Sequence, residues 1–335
     1  MKTIIRLAVL ALAGTSALGL AGNALATQKL SVKQTTTSLT IKVSQAQSDA
    51  QPAHISIYVP SGYSINTSAA PGTRIGSTSG TVFSRDANIP LPLSGDVVVA
   101  PPTTNAPGCD PVPHIAVWIL ALSVAGQAIN LPVHVDQTSG AETALGAYKL
   151  VVCLAPDDVP AGTPGRSPNG ARLLDATFTV ENVFTVPAGP SIWDAITTPW
   201  AGGAPNPGGT VETRAFVANG TVTLAKAVNA KRRLVKFSGK VTQAGAGVAG
   251  TRVTMLLNGK ATKFTARTNA SGAYSVVLKK TGKKSTSTFQ ARTVVAERDI
   301  TTVGCASPTP GIPGGCVSAT ASPFTAVSAR IRIRI

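Results

Sequence analysis

The chain has 335 residues, a formal net charge of +16 at pH 7 and 43% hydrophobic residues. Only 13% of its residues are charged. Val, Thr, Ala, Gly and Pro dominate and there are four Glu, which excludes a mostly helical protein and favours strands and turns.

The first 26 residues read as a targeting segment. Lys2 and Arg6 form a basic start, Leu7 to Leu20 an apolar run, and Ala24-Leu25-Ala26 a small-x-small cleavage site. The run is short, contains glycine and lacks a basic stop-transfer flank, so a cleaved signal is expected rather than an anchor. No cysteine lies near the cleavage site and no second long apolar segment follows. The expected mature protein has no transmembrane segment and is secreted, extracellular or cell-wall associated. Residues 27–335 are too many for one typical compact domain, which suggests two.

From residue 27 to 198, short apolar runs alternate with turn signals. They include "LTIKVSQ" (39–45), "HISIYVP" (54–60), "DVVVAP" (96–101), "YKLVVCLAP" (148–156) and "RLLDATFTVENVFTV" (172–186). "HIAVWILALSV" (114–124) and "AINLPVHV" (128–135) predict a hairpin turning at Gly126. Eight or nine such strands without a helical period predict an antiparallel β-sandwich. "PWAGGAPNPGG" (199–209) opens a Pro/Gly stretch that reads as a linker over 199–215.

The charge is unevenly divided about that stretch. Residues 27–215 carry 9 Lys and Arg against 12 acids, whereas 216–335 carry 19 against 2, a net of +17. Strands follow quickly in the basic half: "TVTLAKAV" (221–228), "LVKFSGKVT" (234–242), "TRVTMLL" (251–257), "KATKFTART" (260–268), "AYSVVLKK" (273–280), "STFQARTVVAE" (287–297) and "AVSARIRIRI" (326–335). Tight turns are expected at 258–260 and 269–272. In the closing "RIRIRI", period two puts Ile331, Ile333 and Ile335 on one face and Arg330, Arg332 and Arg334 on the other. The predicted fold is all-β, with two antiparallel β-sandwich (Ig-like) domains in tandem, 27–198 and 216–335.

Four cysteines in an exported chain imply two disulfides, for which three pairings exist. Cys109–Cys153 and Cys305–Cys316 are expected, one within each half. His54, His114 and His134 are the only histidines. His134 and Asp136 share a strand face and, with a second histidine, could hold a metal, but strand-end roles suit them better. Asp157-Asp158 resembles a solvated acidic pair more than a calcium site. Trp193 and Trp200 suit core plugs or the interdomain seam better than sugar platforms. No nucleophile elbow, zinc-protease motif or Cys/His pair is present, so neither a catalytic residue nor a cofactor is expected.

The stretch "FSGKVTQAGAGVAGTRVTMLLNGKATKFTARTNASGAYSVVL" resembles the carboxypeptidase-regulatory-like and related bacterial Ig-like surface domains. G-x-V at 239–241, the small-residue turn from Gly245 to Gly250, T-x-V at 251–253, and Thr268, Asn269, Gly272 and Tyr274 carry the resemblance. It covers about 45 residues and implies a stalk, spacer or adhesion module without catalytic residues. Some relatives hold calcium with Asp where Asn269 stands here, so that ligand set is incomplete.

The function expected is a non-catalytic exported surface protein whose basic domain docks on anionic envelope polymers or polysaccharide, not on specific nucleic acid. Lys231, Arg232, Arg233, Lys279, Lys280, Lys283, Lys284, Arg330, Arg332 and Arg334 are the candidate contacts. A purely structural, matrix or adhesion component is the alternative, and a secreted enzyme with an accessory sandwich the weaker one. The lysines and arginines could equally serve solubility and edge protection.

Overall fold

The computed structural model describes residues 28–104, 109, 114–187, 189–279, 285–300 and 318–334. The signal segment, the Cys305–Cys316 pair, Lys280, Lys283, Lys284 and Ile335 lie outside the described residues. The described residues fold as strands, with three short 3-10 turns and no α-helix. None of their helices is long and apolar enough to cross a membrane.

The strands begin with β1 (Lys29–Gln34), β2 (Ser38–Ser44), β3 (Pro52–Val59), β4 (Ser64–Ile65), β5 (Arg74–Ser84), β6 (Ile89–Ala100) and β7 (Ala116–Val124). They continue with β8 (Gln127–Gln137), β9 (Tyr148–Cys153), β10 (Ala171–Glu181), β11 (Phe184–Thr185), β12 (Ser191–Ala201), β13 (Ala204–Pro205) and β14 (Val211–Val217). The basic half supplies β15 (Gly220–Val222), β16 (Ala225–Asn229), β17 (Leu234–Gln243), β18 (Ala246–Gly247), β19 (Arg252–Leu257) and β20 (Lys260–Arg267). It ends with β21 (Ala273–Lys279), β22 (Thr286–Val295), β23 (Arg298–Asp299), β24 (Ser318–Ala321), β25 (Phe324–Val327) and β26 (Ile331–Arg334).

One fourteen-stranded sheet runs β1-β2-β10-β5-β6-β7-β8-β9-β3-β12-β14-β24-β23, with β13 on β12. Alternation decides which faces meet. Leu30 and Val32 of β1, Leu39, Ile41 and Val43 of β2, and Ile55, Ile57 and Val59 of β3 all enter one core, which also holds Trp118 and Trp193. The sheet rolls until its ends meet. Gln28 Nε2 donates to Thr197 Oγ1 of β12 (2.6 Å), and Thr320 Oγ1 of β24 donates to the Leu30 carbonyl (2.6 Å).

Strand β5, "RIGSTSGTVFS", lacks an apolar period and was not expected from sequence. Its glycines serve close approach. A Cβ on Gly76 would lie 1.9 Å from the Thr179 carbonyl oxygen, and one on Gly80 2.1 Å from that of Asp175. The β7–β8 hairpin turns on Ala125-Gly126 and the β19–β20 hairpin on Asn258-Gly259, all four with positive φ. These match the two-residue turns read from sequence.

Two further five-stranded sheets face one another across a second core. One holds β15, β16, β17, β18 and β21, and the other β19, β20, β22, β25 and β26. Phe237 and Phe289 meet between them at 4.8 Å, beside Met255, Val235 and Ile333. Ile331 and Ile333 point inward and Arg332 and Arg334 outward, as the alternation requires. The edge they form is broken. β25 pairs with the last part of β22 and β26 with its first part, and Ser328 bridges the gap by exchanging hydrogen bonds with Ala291.

Two features depart from the sequence reading. Residues 199–215 contain the end of β12, β13, a 3-10 turn at Pro207–Gly209 and most of β14, rather than an extended linker. Pro and Gly punctuate that stretch, but Val211–Val217 is paired on both sides and buries Thr213, Ala215 and Val217. Moreover, β23 and β24, from the basic half, join the first sheet. β24 runs parallel to β14, and Ser322 N bonds the Phe216 carbonyl.

At the turn before β21, Gly272 takes φ 76° and the Asn269 Oδ1 accepts from the backbone N–H of Ser271 and Ala273 and from the Ser271 hydroxyl. Asn269 therefore caps the turn with its own side chain. Tyr274 is buried and its hydroxyl donates to the Thr223 carbonyl (2.6 Å), linking β21 to the β15–β16 connection. Burial pushes its pKa up. Tyr274→Phe is expected to lower stability by about 1–2 kcal/mol by stripping that carbonyl of its donor. Urea unfolding that shows no loss would sink this role.

Candidate polyanion-binding face

The basic residues singled out in the sequence fall mainly at one end of the second pair of sheets. The turn Ala230–Arg233 joins β16 to β17 and exposes Lys231 and Arg232; Arg233 is half-buried with φ 52°. Asn229 Oδ1 accepts from Arg232 N and fixes the turn. Register then places Lys279, the last residue of β21, opposite Leu234, next to that turn. On the facing sheet Arg334 stands opposite Thr286 and Arg332 opposite Thr288, at the start of β22. Phe237 near the start of β17 meets Phe289 near the start of β22, and Lys226 reaches the Arg332 carbonyl, so both groups lie at the same end.

The β19–β20 turn reaches that end too and adds Lys260, which sequence reasoning did not include. The two acids of residues 216–335, Glu297 and Asp299, follow the opposite end of β22. Asp299 pairs with Lys29 at 2.7 Å. Lys226 Nζ donates to the Arg332 carbonyl and ties the two sheet edges together. Arg330 is exposed just before β26.

More cations continue over the outer face of the second sheet. Arg252 and Arg267 stand directly opposite one another, and Arg292 lies opposite Thr254 and Val327. Like charges directly opposed across a strand pair destabilise it, although Arg267 Nη1 also donates to the Gly250 carbonyl. Sequence reasoning did not single out these three, which period-two placement in the strands would have found. Lys236 and Lys240 occupy the outer face of the other sheet.

The remaining candidates resolve into structural roles. His114 Nδ1 meets Asp136 Oδ1 at 2.8 Å, and the His114 and His134 rings stack at 4.0 Å, nearly parallel. Stacked rings aim their nitrogens around a common axis rather than at a common point, which does not suit a metal. His54, Cys109 and Cys153 do converge, but the two sulfurs are bonded to one another and are not thiolates. Asp157 is buried between Arg172 (2.8 Å) and Arg85 (3.4 Å), and Asp158 accepts from Gly202 N. Both guanidiniums contact Asp157 Oδ2 and balance its charge. Trp193 is fully buried, and Trp200 is half-buried with its Nε1 donating to the Leu154 carbonyl.

Sequence reasoning also missed a buried charge cluster on β12 and β14. Arg214 Nε lies 2.6 Å from Asp194 Oδ1 and Arg214 Nη2 lies 2.6 Å from Glu212 Oε1, all three residues being buried. Burial, only partly offset by Arg214, pushes the Asp194 carboxyl up to about 7.

No family model and no characterised protein sequence matches this chain. A solved structure described as "Putative membrane anchored protein from Corynebacterium diphtheriae" aligns with 89% of the chain at 9% identity. The chain spans about half (53%) of that structure, and the TM-score of 0.20 does not establish a shared fold.

Proposed function

We propose that this is a non-catalytic exported surface protein of two tandem β-sandwiches, the second Ig-like and related to the carboxypeptidase-regulatory-like domains. Its basic half docks on an anionic envelope polymer. The observation that carries this reading is the convergence of Lys231, Arg232, Lys260, Lys279, Arg332 and Arg334 at one end of the second sandwich, away from both nearby acids. Clustered like charge on rigid strands raises local potential and attracts a polyanion over several ångströms. Solubility alone would be served by scattered charges of both signs.

The test is binding of the full chain to immobilised polyglycerol phosphate across a salt series. Binding is expected to weaken steeply as salt rises, and the combined change Lys231→Gln, Arg232→Gln, Lys279→Gln, Arg332→Gln and Arg334→Gln to weaken it at least about tenfold. Unchanged affinity in that variant would leave edge protection as the role of these residues and defeat the proposal.

A further inference from the structure

The rolled first sheet does not close on a solid core throughout. Towards the end where β2, β5, β7 and β9 finish and β3, β6, β8 and β10 begin, it leaves a partly open cavity of about 300 Å³. Side chains of all eight strands line it, among them Ile41, Ile55, Val82, Leu93, Leu122 and Phe178. Cores are ordinarily packed without such voids, and a cavity this size falls in the range of small-molecule sites.

Two hydroxyl-bearing residues line this apolar space. Thr78, 4% exposed, and Ser167, 5% exposed, both line the cavity, and neither hydroxyl has a hydrogen-bond partner among the described residues. A buried hydroxyl without a partner costs free energy; the one on Ser167, at the end of the roll, can recover that cost from a ligand's polar head, whereas Thr78 sits mid-strand among apolar side chains. Ser167 lies in the segment after β9 that borders the end of the roll. That segment is pinned by Arg166 on Asp86 (2.6 and 2.8 Å) and by Asp157 between Arg85 and Arg172. Thr78 lies mid-strand on β5, and the stretch from Thr78 to Val82 is roughly 13 Å at strand rise.

We propose that this cavity holds the hydrocarbon chain of a single-chain amphiphile of the fatty-acid class, with its polar head hydrogen-bonded to Ser167. The lining is aliphatic and aromatic from several directions, which suits a flexible alkyl chain. The tied segment around Ser167 supplies a fixed polar point where the head sits. This site is separate from the basic end of the second sandwich and does not depend on polymer binding.

Calorimetric titration of the full chain with saturated fatty acids from octanoic to dodecanoic acid tests the assignment. Saturable one-to-one binding is expected, tightening roughly fourfold per added methylene. Ile129→Trp, at a half-buried lining position, is expected to abolish binding of dodecanoic acid while the circular dichroism of the β-structure is retained. Ser167→Ala is expected to weaken every acid about tenfold and leave the increment per methylene unchanged. Thr78→Val, which keeps the side-chain shape, is expected to bind at least as tightly. Failure of dodecanoic acid to bind, unaltered binding in folded Ile129→Trp, or weaker binding in Thr78→Val would each overturn the proposal.

Discussion

Arg214→Ala is expected to destabilise the protein by about 3–5 kcal/mol near pH 8, because it leaves Asp194 and Glu212 buried without their cation. The sign of the pH dependence follows from Asp194. Its folded-state pKa of about 7 lies above the ordinary carboxylate value of 3.8, so the folded state binds more protons than the unfolded state between roughly pH 4 and pH 7. Stability from this group is present at acid pH and is lost as pH rises through that window. Removing Arg214 strips away the interaction that favours ionised Asp194 and steepens the loss. The variant should therefore lie closest to the parent below about pH 4, and Asp194→Asn should flatten the dependence. Urea unfolding at several pH values decides it, and an equal deficit at pH 4 and pH 8 would contradict the charge argument.

Loss of the Cys109–Cys153 disulfide is the second large effect. The bond spans 44 residues and ties the segment after β6 to the end of β9. On the loop-entropy relation a closed loop of that size is worth about 4 kcal/mol. That segment leads to His114, whose ring covers His134 and meets Asp136 on the outer face of the sheet. Cys109→Ser with Cys153→Ser is expected to lower the unfolding free energy by about 4 kcal/mol. A deficit below about 1 kcal/mol would mean the segment is held by its packing instead.

Much of the strand pattern was legible because alternation is a local property. "SLTIKVS", "HISIYV" and "IRIR" declare their inward residues without reference to any partner. The Asn258-Gly259 and Ala125-Gly126 turns were legible for the same reason, and so was the Cys109–Cys153 pair within one half. What escaped was whatever depends on distant strands. The glycine-rich β5 carries its signal in close backbone approach to β10 rather than in apolar side chains. The Asp194–Glu212–Arg214 cluster exists because β12 lies beside β14, and Glu212 and Arg214 fell in a stretch whose composition suggested a linker. The basic end was half legible. The runs at Lys231–Arg233 and Lys279 stood out, whereas Lys260 needed the register of β19 on β22 to bring it in.

The parallel strand β24 also sets an order of events. The first sheet begins at Lys29, yet its far edge is supplied by residues 318–321, and Thr320 bonds the carbonyl of Leu30 across 290 positions. A chain emerging from its amino terminus can pair β1 with β2 early, but cannot complete the β14 edge until almost the whole polypeptide has been delivered. Contacts of that separation are formed late and slowly, because their loop-closure entropy is spent before the contact returns anything. Most of the second pair of sheets, β15 to β22, precedes β24 in the chain and can begin to pair before it, whereas β25 and β26 follow it. The closure of β24 on β14 and on Leu30 is therefore expected to come after the local hairpins have formed.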